Sequence, residues 1–196
     1  MARRNSVCAL SGKLPPPCSS PSSAFRCRRR QPPSAAPNYA PQYDFQDFWV
    51  AADGKNFRVV LAGSPFPAIA GDDVARRLLP VMQDAKPRPA LTFTYEKPAV
   101  EPRPDYRLVL VFDYANDLGG DQVCQGVTRF KPPGAPGLFK VFAIYCRNDM
   151  MMSMTTAWTS ATGPEDPRVN QLFRELFLVV FSDSQSLRPH SGHRRF

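Results

Sequence analysis

Two cysteines, a run of methionines and three spaced aspartates are the side chains here whose types and spacing bear on chemistry. Cys124 and Cys146 flank the turn-forming segment "KPPGAPG" at residues 131–137. If residues 122–131 and 138–146 pair as an antiparallel hairpin around it, Cys124 stands opposite Cys146 to within about one residue. Directly opposed residues on antiparallel strands have Cα atoms roughly 4.5–5.5 Å apart, a spacing a disulfide accepts. That geometry leaves a disulfide, two buried free thiols and a functional thiol open. No CxxC and no nearby histidine cluster accompanies the two cysteines, so a metal site has no support.

Met150, Met151, Met152 and Met154 resemble a soft ligand set of the copper type. In a strand, however, Met151 points away from Met150 and Met152, and gap filling in a core is the simpler reading. Asp113, Asp117 and Asp121 occupy the loop "DYANDLGGD". Carboxylates so spaced serve general acid–base work or a calcium loop, but the closing glutamate of a calcium loop is missing, and a solvated turn is the default. "LGGD" is not followed by the Lys-Ser/Thr of a phosphate loop.

Both histidines, His190 and His193, lie at the C-terminal end of the chain. A domain without histidine lacks the commonest general base and the commonest zinc ligand, and no serine sits in a GxSxG context. The sequence therefore names no catalytic, cofactor-binding or metal-binding residue, and Cys124 and Cys146 are its disulfide candidates. An enzymatic alternative would have to use Asp113, Asp117 or Tyr145 near one end of a sheet.

The net charge of +8 over 196 residues invites a nucleic-acid reading until it is located. Residues 1–31 hold seven basic side chains and no acid, and residues 188–196 add three arginines, again with no acid. The stretch 32–187 keeps the other 15 basic residues against all 17 acidic ones, a net of −2. The basic character belongs to the ends. The run Arg26–Arg30, interrupted by Cys27, has the charge to meet an anionic membrane surface or nucleic acid. It lacks the interleaved aromatics of a base-stacking surface, which argues against nucleic acid, and a passive solubilising tail is the simpler reading.

Residues 1–42 are rich in Pro, Ser and Arg, and such composition buries too little apolar surface to offset ordering entropy. The expected organisation is a disordered tail over 1–42, one domain over 43–186 and a basic tail over 187–196. No apolar run is long enough for a transmembrane helix.

Within the domain, Phe45–Val50 reads as an aromatic strand turning at Asp53-Gly54 into a second strand with Phe57, Val59 and Leu61 on one face. From Asp72, the spacing of Val74, Leu78, Val81 and Met82 predicts a helix capped by Asp72 or Asp73 and interrupted at Pro80. Leu91, Phe93 and Tyr95 alternate as a strand. Residues 106–112, "YRLVLVF", read as a central strand apolar on both faces. Val123–Phe130, Phe139–Cys146 and Met150–Thr159 continue it as a meander, the last two joined by a turn at Arg147-Asn148-Asp149. Asp166 as N-cap and Pro167 at the first position open a helix whose apolar stripe runs from Val169 to Val180. The expectation is α+β: a two-layer sandwich with a mainly antiparallel sheet of six or seven strands and two helices.

Three stretches, "PDYRLVLVFD", "FAIYCRND" and "DPRVNQLFRELFLVVFSD", carry a resemblance. Over about residues 43–184 the chain resembles a group of uncharacterised proteobacterial proteins whose members often begin with a lipoprotein or export signal. The resemblance implies a cell-envelope or periplasmic location and no established activity. The chain departs from that pattern at its start: Lys13 stands where the lipidated cysteine would be, and the apolar stretch is shorter than an export signal needs. The leading expectation is a non-enzymatic accessory or binding domain of the bacterial envelope, working through an unidentified protein partner. The alternative is a cytoplasmic protein whose Arg-rich tails bind nucleic acid.

Overall fold

The computed structural model describes residues 36–184, apart from 101 and 133–135. The expected tails at 1–35 and 185–196 lie outside the described residues. Residues 36–42, assigned from composition to the tail, carry a short strand β1 (Asn38–Tyr39). Side chains the composition argument overlooked explain it: the Tyr39 hydroxyl donates to Val179 O at 2.5 Å, and its ring meets Tyr43 edge-on.

Phe45–Ala52 forms helix α1 rather than the expected strand. Asp44, in extended backbone, accepts the Gln46 N–H at 3.0 Å and caps the first turn. Phe48 and Ala52, four apart, both point into the core, and Phe45 meets the rings of Phe48 and Trp49. Aromatic side chains favour strands on average, but here cap and i,i+4 contacts decide. Gly54, at φ +67°, then turns the chain into β2 (Asn56–Ala62), so no hairpin forms.

Helix α2 (Gly71–Ala85) buries Val74, Leu78, Met82 and Ala85. Its N-cap is Ala70; Asp72 and Asp73 sit in the first turn, where the helix dipole favours negative charge. The helix runs through Pro80. After β3 (Thr92–Thr94), the chain enters the central strand β4 (Tyr106–Phe112), buried on both faces from Leu108 to Phe112. The expected strand over Val123–Phe130 is replaced by a short helix α3 (Gly120–Cys124) and a loop. Gln122 closes the first turn of α3 by accepting the Gly119 N–H at 3.0 Å, and Gly126 at φ +88° ends it. Only Phe130 still bridges to a strand-like neighbour, Tyr114.

Strands β5 (Leu138–Arg147) and β6 (Met150–Ser160) form the expected hairpin. Asn148 turns it at φ +51°, and its side chain accepts the Asp105 N–H at 2.9 Å. Helix α4 (Pro167–Val180) has Asp166 as N-cap and buries the whole predicted stripe. Each such apolar side chain is worth about 1.5–3 kcal/mol relative to exposure.

The fold is α+β. Its six-stranded sheet has the order β1-β6-β5-β4-β2-β3, with three antiparallel pairs and two parallel ones, β2 with β3 and β2 with β4. The main core lies between one face and α1, α2 and α4, so the described residues hold four helices where the sequence reading expected two. The last carbonyls of α4, which have no partner within the helix, are met from the sheet: Ser153 Oγ donates to Val180 O at 2.6 Å, beside the Tyr39 contact. Among the described residues, no helix is long and apolar enough to cross a membrane.

Candidate functional site on the thinly covered face of the sheet

Alternation along β4 and β5 sends Val109, Val111, Phe142, Ile144 and Cys146 to the face opposite the large helices. Among the described residues, one short helix and one loop cover them. Strand β5 lies between β4 and β6, and Cys146 is directly opposed to Arg107 on one side and Met151 on the other. Cys124 is therefore not on a neighbouring strand, contrary to the hairpin reading. It lies above the sheet at the end of α3, and the structure joins it to Cys146 in a disulfide with Cα atoms 5.6 Å apart.

Further contacts hold α3 down. Arg107 donates to the Cys124 carbonyl at 2.5 Å and pairs with Asp105 at 2.7 Å. Asp121 accepts the Met151 N–H at 3.2 Å. Gly120 is a close approach rather than part of a phosphate loop: a Cβ there would come within 2.8 Å of Met151 Cγ and Met154 Sδ. The methionine run divides accordingly. Met151 and Met154 pack beneath α3, Met152 enters the main core past a β-bulge, and Met150 is exposed.

The three aspartates of the loop do not converge. Asp117 pairs with Arg129 at 2.7 Å and Asp121 caps the β6 backbone. Asp113 sits at the end of β4 at φ +47°, where its carbonyl accepts the Lys131 N–H, and it lines a groove of about 720 Å³ with Phe66, Ile69, Leu138 and Thr162. Tyr145 faces the main core instead, ringed by Tyr43, Phe48, Phe57, Tyr106 and Phe181. Burial pushes its phenol far above the ordinary range.

Two features of this face were missed from the sequence. Lys131 and Lys140 gather over Tyr114, with Nζ atoms 5.7 and 4.7 Å from the ring centroid. Burial, then the neighbouring Lys140, holds the Lys131 ammonium below its ordinary pKa. The second feature is the outer side of β6. There, among the described residues, only Asn38 and Tyr39 pair with it, at Met154 and Ser153, and Thr155–Ser160 meets no strand on that side.

No protein-family model and no curated protein sequence matches the chain. Among solved structures, a dodecamer of a PelC point variant from Paraburkholderia phytofirmans is similar over 76% of this chain and 97% of that one. Its TM-score is 0.41 at 12% identity, a likeness too loose to carry a functional argument.

Proposed function

We propose that this chain is a non-enzymatic binding domain of the bacterial cell envelope, acting through protein contacts. The Cys124–Cys146 disulfide carries the reading. Disulfides persist in oxidising compartments such as the periplasm and are rare where thioredoxin and glutathione keep thiols reduced. The different surroundings of Asp113 in its groove, Asp117 on Arg129 and Tyr145 in the main core support a binding role over catalysis. The outer edge of β6 supports protein contact: over Thr156–Ser160 no strand among the described residues pairs with it, and backbone groups left open in that way accept an added strand.

Alkylation of thiols under denaturing conditions, before and after reduction, tests the compartment in protein recovered from its native host. Cys124 and Cys146 are expected to be labelled only after reduction. Labelling of both before reduction would remove the ground for an envelope location.

A further inference from the structure

Beyond α3, the thinly covered face of the sheet gathers cationic and flat aromatic side chains. Lys140 on β5 is directly opposed to Trp158 on β6. The register settles how close they come. Ala161 N donates to Gly137 O, so odd-numbered residues of β5 bond to β6, and Lys140 and Trp158 form a non-hydrogen-bonded pair. Side chains of such a pair approach most closely, and both project to the face that carries Phe142. Among the described residues, no aromatic ring stacks on Trp158, which is half-buried.

Lys131 reaches the same place from the loop before β5, its Nζ 3.3 Å from Asn116 Oδ1. Two ammonium groups thus share one tyrosine ring. Like charges separate unless something holds them, and a ring face satisfies a cation only in part. Asp113 attracts Lys131, and Asp117 is paired with Arg129. Charge, donors and a flat wall are present together, with two ammonium groups set against the attraction of Asp113.

We propose that Lys131 and Lys140 bind the anionic group of a solute, a carboxylate or a phosphate, against the Tyr114 ring, with Trp158 as the adjoining wall. The site does not depend on the compartment, although its wall, Trp158, lies on the β6 edge segment.

The test uses the full chain with Trp49→Phe, which leaves Trp158 as the only tryptophan. Inorganic phosphate and acetate are titrated at constant ionic strength while Trp158 fluorescence is followed. The expected result is a saturable change with at least one anion, weakened about tenfold or more by Lys131→Gln or Lys140→Gln, the order of one charge-assisted contact. Arg174→Gln, on α4 at the opposite face, is expected to leave the response unchanged, and Lys140→Arg to retain it. Saturation by phosphate alone assigns a phosphate, and by acetate a carboxylate. No saturable response to either anion overturns the proposal, as does equal loss in the Arg174 variant. Circular dichroism separates loss of binding from loss of fold.

Discussion

Tyr145 and Tyr43 put two phenols into one aromatic cluster with opposite consequences. Among the described residues the buried Tyr145 hydroxyl has no hydrogen-bond partner, whereas the Tyr43 hydroxyl donates to Ser182 O at 2.8 Å. A buried polar atom without a partner bears its desolvation cost, and a made hydrogen bond contributes about 1 kcal/mol net. Tyr145→Phe is therefore expected to leave stability unchanged or raise it, and Tyr43→Phe to lower it by about 1 kcal/mol. Urea unfolding of both variants checks the contrast. Cys146, Arg107 and Gly120 show the same dependence on surroundings: a disulfide sulfur, a guanidinium and a missing Cβ together seat α3 on the sheet.

At the scale of elements, the end groups of α4 and the outer edge of β6 are the points where small changes have calculable effects. Asp166 caps α4, accepting the Arg168 N–H at 3.0 Å and the Arg168 side chain at 2.6 Å. The side-chain bonds first, then the backbone bond, hold its carboxyl well below the usual carboxylate range. A depressed folded-state pKa contributes stability that is present above the unfolded value of about 3.9 and lost as pH falls below it. Asp166→Ala is expected to cost about 0.5–2 kcal/mol near neutrality, with the gap to the parent narrowing below about pH 4. Thermal unfolding of the two proteins from pH 7 to pH 3 measures it.

The β6 edge gives a second contrast. Ala40 N donates to Met152 O, and alternation then turns the N–H of Thr156 outward and that of Ala157 toward β5. Proline at Ala157 removes a ladder bond and is expected to cost about 1 kcal/mol or more, while Thr156→Pro is tolerated as an edge proline and blocks strand addition. Chemical denaturation ranks the two variants.

For the whole molecule, the disulfide is the main covalent tie across the thinly covered face. The bridged cysteines are 22 residues apart, and a closed loop of that size is worth about 3 kcal/mol through the unfolded chain. Replacing both by serine is expected to lower stability by about that amount and to release α3 first, seen as faster amide exchange at Val123 than in β5. Uniform exchange acceleration would mean that α3 is held by Arg107 and Asp121 instead. The charge distribution belongs to this scale too: residues 32–187 carry a net −2, so the positive balance of the chain lies at its ends.

What could be read without coordinates was whatever repeats over a few residues. The stripe of α4, its Asp166-Pro167 start, the two-faced apolar run of β4 and the Asn148 turn are local patterns, and each appears in the fold. Phe45–Val50 and Val123–Phe130 read as strands because their side chains suit a strand on average, while a cap at Asp44 and glycines at 119, 120 and 126 decide otherwise. Tertiary structure alone decided that β2 lies parallel beside β4, that Cys124 reaches Cys146 from above the sheet rather than from a neighbouring strand, and that Lys131 and Lys140 meet over Tyr114. Periodicity records which face of an element is buried. It holds no record of which distant element covers that face, because such contacts form only when the chain closes on itself.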